Sequence, residues 1–187
     1  HSWGSVFGAN LVLEYPEYYE CFIVTGQLVD YLENEEAFRQ EAILWAEGDE
    51  ETLNLVDQLT PDKITMEHIN ARNTIMQKYG CDMMANGSDY NLAATIIFNP
   101  NYSVTDWINY FKRDMRVYLD FFASEEFASF SLKDRVDYQV PFYNINGDKD
   151  YQTNYKLAQE YFEEVNAPYK QMFLMKNMTH RLLESDS

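Results

Sequence analysis

Three short segments of the sequence carry residue types that could perform acyl-transfer chemistry. The first is His1-Ser2-Trp3-Gly4, which matches four of the five places of the motif G-x-S-x-G, whose first glycine would lie immediately before residue 1. In that motif, small residues allow a strained turn that lifts the serine hydroxyl clear of a sheet. Ser2 is therefore a candidate nucleophile.

The other two segments each follow a predicted strand. Gly147-Asp148-Lys149-Asp150 is an acidic turn, and a carboxylate placed there can accept the Nδ1–H of a histidine and fix its tautomer. Either aspartate of this turn could fill that role. His180 lies in a polar loop after the last predicted strand. Taken singly, the two segments are more simply explained as an ordinary turn and a structural histidine.

Hydrophobic patterning predicts the elements that position these segments. Residues 1–26 are predicted to form a helix that ends at Tyr15-Pro16 and then a buried strand that ends at Gly26. From residue 136 onward, a strand over 141–146, a helix capped by Thr153 and a strand over 170–175 are predicted. Such an alternation of strands and helices is typical of an α/β fold.

A mostly helical stretch separates these two α/β parts. Predicted helices cover about 33–48, 49–59 and 66–79, and the pair Ser103 and Asp106 resembles a capping box that leads one long helix to Phe122. We therefore expect three regions: an α/β core over 1–29, a helical insert over 30–135, and the rest of the core over 136–187.

The order of the candidate residues links the three segments. Functional groups in parallel α/β sheets gather at the carboxyl ends of strands. The order Ser2, Asp150, His180, with a helical insert after the first, is that of α/β-hydrolases. The chain resembles the later two-thirds of an α/β-hydrolase, and more narrowly the proline iminopeptidase group of serine peptidases. The residues that carry the resemblance are His1 to Ser5, Gly26 to Glu35, Val140 to Asp150, Ala167-Pro168, and Asn177 to His180 with Glu184.

This resemblance implies a role for each candidate. Ser2 would be the nucleophile, His180 the general base and Asp150 the acid that orients it, with the backbone N–H of Trp3 as one oxyanion donor. The family's other oxyanion loop and its first strands match no part of the sequence. We therefore expect a fragment that lacks the N-terminal part of the fold and has little activity alone.

The resemblance also makes the helical insert a cap over the active site. In this family the cap often carries acidic residues that hold a substrate's free amino group, and Glu33, Glu35 and Glu36 are the candidates. Trp107, with other aromatic residues of its helix, could form a wall for a proline ring or an acyl group. Simpler roles compete with these, because acidic residues favour a helix start and an aromatic stripe usually belongs to the core.

The expected function is that of a serine hydrolase that forms an acyl-enzyme, most closely an aminopeptidase acting on N-terminal proline. One alternative is a small-molecule esterase or amidase with the same triad. Another is an inactive fragment that acts only as a binding or assembly module, since missing strands would leave an open sheet edge. A second copy of the chain could then associate through this edge or through the cap.

The amino-acid composition excludes some classes of binding partner. The chain of 187 residues has 31 acidic and 14 basic side chains, a formal net charge of −17, so nucleic acid and anionic membrane surfaces are poor partners. Cys21 and Cys81 suggest neither a disulfide framework nor a metal site, and we expect no metal and no cofactor. No apolar stretch approaches the roughly 20 residues of a membrane span, and no signal-peptide pattern opens the sequence. A cytoplasmic location is the expectation.

Overall fold

The computed structural model of the chain describes residues 1–83, 99–112, 114–122 and 124–182. Glu184, one of the residues that carry the family resemblance, lies outside the described residues. Within them, the sheet consists of three parallel strands in the order β1-β2-β3. These strands are β1 (Phe22–Thr25), β2 (Phe142–Gly147) and β3 (Lys170–Met175).

The register of the strands brings their carboxyl ends to one edge of the sheet. Phe22 lies opposite Phe142 in β1 and β2, and Gly147 lies opposite Met175 in β2 and β3. Because all strands run in the same direction, the loops that follow them emerge side by side. Those loops, together with the turn before the first helix, carry the three candidate segments.

Helices occupy most of the remaining described residues. They are α1 (Gly4–Glu14), a 3-10 helix (Pro16–Tyr18), α2 (Tyr31–Ala46), α3 (Glu50–Val56), α4 (Met66–Lys78), α5 (Val104–Lys112), α6 (Met115–Phe122), α7 (Glu125–Ala128) and α8 (Tyr155–Glu164). The α/β organisation and the strand positions predicted from the sequence are thereby confirmed.

Side-chain caps fix where several helices begin. The side chains of Asp30, Asp49 and Thr65 each accept a backbone N–H three residues further on, at the starts of α2, α3 and α4. These bonds satisfy N–H groups that the first helical turn leaves free. The capping box before α5 is also present, since the Ser103 N–H donates to Asp106 over 2.8 Å and the Asp106 N–H donates to the Ser103 hydroxyl over 3.3 Å.

Two predictions about helices are wrong in detail. The long helix predicted after Ser103 is divided into α5 and α6, and Asp114 between them is not helical. The cap of α8 is Asn154 and not Thr153, because the Asn154 side chain accepts the Lys156 N–H over 2.9 Å. The Thr153 hydroxyl is instead bonded to Asp150.

The helical insert leaves the sheet and returns to it at one place. Asp30 and Ser131 form an antiparallel bridge, and the Leu132 N–H donates to the Val29 carbonyl oxygen over 2.8 Å. Between these points, α2, α3 and α4 enclose their own apolar cluster. Its buried members include Phe38, Ala42, Val56, Leu59, Ala71, Ile75 and Met76.

A larger apolar cluster supports the sheet. α1 packs against β1 and α8 packs against β2. Buried members of this cluster include Ala9, Val12, Val24, Leu132, Tyr138, Phe142, Ala158 and Phe162. No further strand among the described residues pairs with the outer edge of β1. None of the described helices combines the length and apolar character that a membrane crossing requires.

Phe142 is the best point at which to test this core. It has no exposed surface, and its ring lies 4.8 Å from that of Tyr138 and 5.6 Å from that of Phe22, measured between centroids. We expect Phe142→Ala to lower the free energy of unfolding in urea by about 3–5 kcal/mol, because it leaves a cavity at the centre of the cluster. The matched control is Phe111→Ala, whose ring is 58% exposed and whose loss should cost at most about 0.5 kcal/mol. Equal losses in the two variants would contradict this view of the core.

Candidate active site

Ser2 occupies a strained turn that immediately precedes α1 in the chain and is hydrogen-bonded to the end of β1. Its φ of +53° lies in the left-handed region, which non-glycine residues seldom adopt. Hydrogen bonds hold the turn: the Ser2 N–H donates to the Thr25 carbonyl oxygen over 3.0 Å, and the Gly4 N–H donates to that of His1 over 2.9 Å. Backbone strain of this kind is typical of functional sites, where the surrounding structure enforces it.

Asp150 lies in the loop after β2 and is fully buried. Its Oδ1 accepts the backbone N–H groups of Gln152 over 3.0 Å and Thr153 over 3.1 Å. Its Oδ2 accepts the Thr153 hydroxyl over 3.1 Å. A carboxylate removed from water needs such donors to remain charged.

The loop that carries His180 is held against the loop after β2. Asp148 accepts the Asn177 N–H over 2.6 Å, and the Lys149 N–H donates to the Met178 carbonyl oxygen over 3.0 Å. Gly147 permits this approach, since a Cβ there would lie 2.1 Å from that same carbonyl oxygen. The sequence left both aspartates of the turn open as partners of His180; in the structure Asp148 binds the backbone of the histidine loop.

Ser2, His180 and Asp150 form a continuous chain of hydrogen bonds. His180 Nδ1 lies 2.9 Å from Asp150 Oδ2, and His180 Nε2 lies 2.7 Å from Ser2 Oγ. Because an ionised carboxylate only accepts, Nδ1 carries the proton and Nε2 accepts from the Ser2 hydroxyl. This arrangement can withdraw the hydroxyl proton as Ser2 attacks a carbonyl carbon.

The backbone N–H of Trp3 is available at the start of α1. No backbone hydrogen bond within the described part of the chain uses it, whereas the N–H groups of Gly4 and Ser5 close the turn. The helix N-terminus carries partial positive charge, which favours an anion beside it. The residue that follows Ser2 in the chain therefore offers a donor at the start of α1.

A cavity of about 460 Å³ opens onto Ser2 and His180. Its apolar walls include Trp3, Leu28, Tyr31, Met83, Phe121, Phe122 and Phe127, and its polar walls include Asn34, Glu35, Gln152 and Thr153. A second cavity of about 300 Å³ shares several of these walls and extends toward α4. Across the described ranges, no group of three or more His, Cys, Asp or Glu residues is arranged to hold a metal ion.

Of the four residues expected to bind substrate, the structure places Glu35 in the cavity wall. Glu33 pairs with Lys133 Nζ at 2.6 Å, and Glu36 pairs with Arg39 at 3.5 Å. Neither of these glutamates lines the cavity as described, and neither does Trp107, which is half-buried in α5.

Glu35 already has partners for both of its carboxylate oxygens. Oε2 lies 3.0 Å from His68 Nε2 and 3.2 Å from Arg72 Nε, and Oε1 accepts the Asn34 amide over 3.1 Å. His68 Nδ1 accepts the Thr60 N–H over 3.0 Å, so a neutral His68 donates to Glu35 through Nε2. Burial raises the pKa of Glu35, but the Arg72 guanidinium and the hydrogen bond from His68 outweigh it and hold that pKa below its usual range.

Sequence reasoning identified neither Arg72 nor His68 as a partner of Glu35. Their spacing of four residues on α4 places both side chains on one helix face, and this was the signal available in the sequence. Nothing in the sequence identified Glu35 on α2 as the group they would meet.

Comparisons with solved structures identify the fold. An α/β fold family hydrolase from Bacillus anthracis str. Sterne matches with a TM-score of 0.54 and 15% identity, over 97% of this chain and 59% of that one. A proline iminopeptidase from Mycobacterium smegmatis matches with a TM-score of 0.52 and 15% identity, over 96% of this chain and 56% of that one. The chain thus spans less than two-thirds of the length of these structures. No protein-family model and no curated protein sequence matches it.

The protein therefore has a partial α/β-hydrolase fold, and the sequence-based prediction of that fold is confirmed. At this level of identity, the similarity defines the architecture and leaves the activity to be inferred from the site.

The substitution Gly26→Ala tests how closely the backbone at residue 26 must approach His180. Its φ is +52°, and a Cβ there would lie 2.9 Å from His180 Cε1 and 3.3 Å from Asp150 Oδ2. In Gly26→Ala we expect a left-handed strain of about 1–2 kcal/mol. A clash of about 1–3 kcal/mol should add to it. Gly48→Ala is the control, because Gly48 has φ +89° with no atom within 4 Å of its Cβ position and so suffers the strain without the clash. Urea unfolding that shows equal losses would argue against close packing at Gly26.

Glu35 should make stability depend on pH. Its folded pKa is depressed below the ordinary value of 4.5, so its contribution is present above that value and is lost as the pH falls through the folded pKa. Glu35→Gln leaves Arg72 buried without a counter-charge, which should cost about 3–5 kcal/mol at neutral pH. Measured by urea unfolding, the difference between parent and variant should shrink as the pH falls from about 6 to about 3. A difference that stays constant over this range would contradict the ionised pair.

Proposed function

We propose that this chain supplies the nucleophile, the general base and the orienting acid of a serine hydrolase that acts through an acyl-enzyme. The observation that carries the proposal is the unbroken chain of hydrogen bonds from Ser2 Oγ through His180 to the buried Asp150. The strained turn at Ser2 and the cavity that opens onto it support the same assignment.

The proposed reaction begins with attack of Ser2 Oγ on a carbonyl carbon, as the hydroxyl proton passes to His180 Nε2. Asp150 stabilises the imidazolium that forms. The oxyanion of the tetrahedral intermediate accepts the Trp3 N–H. The bond to the leaving amine or alcohol then breaks, and that group takes the proton from His180. His180 then takes a proton from a water molecule as the water attacks the acyl carbon. The bond from that carbon to Ser2 Oγ breaks, His180 gives the proton to Oγ, and the acid is released.

The first candidate for the substrate is a peptide with a free N-terminal proline. Glu35 supports it, as a carboxylate in the cavity wall near Ser2. The shared fold of a proline iminopeptidase is consistent with it. An ammonium group bound there would have to share the carboxylate with Arg72, which lies 3.2 Å away.

The second candidate is a neutral ester or amide with an apolar acyl group. The aromatic walls formed by Trp3, Tyr31, Phe122 and Phe127 support this candidate, since they offer apolar surface rather than charge. The pairing of Glu35 with Arg72 supports it as well, because the pair carries no net charge.

A serine-directed fluorophosphonate tests the proposed nucleophile. We expect the intact mass of the parent chain to increase by a single adduct, because among the described residues Ser2 is the serine whose hydroxyl is bonded to His180. Ser2→Ala should form no adduct, and Ser129→Ala, which removes an exposed serine, should react like the parent. An unlabelled parent chain, or an adduct that persists in Ser2→Ala, would overturn the proposal.

A matched pair of substrates separates the two candidates. An aminopeptidase should hydrolyse prolyl-4-nitroanilide and leave its N-acetyl derivative intact, because acetylation removes the charged amine. An esterase or amidase should hydrolyse a short-chain 4-nitrophenyl ester and gain nothing from a free amine on the anilide. Initial rates at equal substrate concentration give the comparison. A strong preference for the ester would rule out the peptidase candidate.

A further inference from the structure

We propose that Arg72, supported by Glu35 and aided by Asn34, positions the catalytic acid by fixing residues 151–154 behind Asp150. The helical insert would then take part in assembling the triad as well as forming the cavity walls. The catalytic consequence rests on the proposed function, whereas the structural consequence can be measured without any activity.

Arg72 binds the backbone of this segment directly. Its Nη2 donates to the carbonyl oxygens of Tyr151 over 2.8 Å and Gln152 over 3.1 Å, and its Nη1 donates to Gln152 Oε1 over 2.6 Å. The guanidinium is 4% exposed and lies 4.3 Å from the centre of the Phe38 ring. A planar, buried group with several donors is suited to hold two consecutive carbonyl groups in one orientation.

Asn34 binds the same segment from α2. Its amide donates to the Gln152 carbonyl oxygen over 3.2 Å, and its Oδ1 accepts the Asn154 N–H over 2.7 Å. Asn34 is 3% exposed, so water competes little for these bonds. Two helices of the insert therefore hold the segment at successive residues.

The residues held in this way are those that bind Asp150. The N–H groups of Gln152 and Thr153 both donate to Asp150 Oδ1. The Thr153 hydroxyl donates to Oδ2 and lies 3.3 Å from His180 Nδ1. A shift of this segment would therefore rotate the carboxylate that faces His180, and a displacement of about 1 Å at such a group can cost about 100-fold in rate.

Glu35 completes the arrangement from within the insert. The Glu35 carboxylate contacts both Arg72 and Asn34, so the two side chains that bind residues 151–154 are held by the same group. Arg72 has its countercharge in Glu35, which allows its remaining donors to stay buried against backbone carbonyls. This explains why Glu35 is committed to partners although it lies in the cavity wall.

Arg72→Lys tests the grip while it keeps the charge beside Glu35, because one ammonium cannot reach all three oxygens that the guanidinium binds. The readout is amide hydrogen exchange at Gln152 and Thr153. We expect it to accelerate by about tenfold or more there, with β2 unchanged. Arg39→Lys is the control, since Arg39 lies on α2 and pairs with Glu36. Unchanged exchange at both amides in Arg72→Lys would overturn the proposal.

If Arg72→Lys accelerates amide exchange throughout the chain, the test passes to Asn34→Ala, which removes the second set of contacts to the same segment. Faster exchange confined to residues 152–154 in that variant supports the proposal, and unchanged exchange there overturns it.

A double-mutant cycle tests whether Arg72 acts through Asp150. The rate constant for fluorophosphonate labelling of Ser2 should fall by about 10- to 100-fold in Arg72→Lys. In an Asp150→Asn background the same change should have little further effect, because its route to His180 is already broken. Additive effects would overturn the proposal. If the parent chain is not labelled at all, the proposed function fails, and the exchange measurement still decides the positioning role.

Discussion

The complete burial of the Asp150 carboxyl group is the constraint on which the rest of this structure depends. A carboxylate with no exposed surface is stable in its ionised form only when donors surround it, and Asp150 has donors from Gln152, Thr153 and His180. These donors come from the loops after β2 and β3. The parallel register of the strands, the glycine at residue 147 and the contact of Asp148 with the histidine loop all bring these two loops together.

The meeting of Ser2, His180 and Asp150 was predictable, because each of them follows or precedes a local element and the three are ordered along the chain. Gly4 and a helix come two residues after Ser2, and Asp150 and His180 each follow an apolar run of strand length. Parallel strands then bring these positions to one edge, whatever lies between them. The choice between Asp148 and Asp150 could not be made from spacing alone, because it depends on which side of the turn faces the histidine loop.

Other features depend on contacts between distant residues and were not predictable. Thr153 and Asn154 are both residue types found at helix N-caps, and in the structure Asn154 takes that role while the Thr153 hydroxyl is bonded to Asp150. Glu35 was one of three candidates for holding a substrate's amino group, and its contacts with Arg72 and His68 on another helix had no signal in the sequence. In each case a tertiary contact outweighs the preference of the local sequence.

The bridge between Asp30 and Ser131, which joins the two ends of the insert, has an evolutionary consequence. Because Asp30 and Ser131 are bridged, the two ends of the insert lie side by side, as the two ends of a short turn would. Helices within the insert can therefore be lengthened, lost or exchanged by recombination while the strand register is preserved. Any replacement insert would still have to bind residues 151–154, as Arg72 and Asn34 do here.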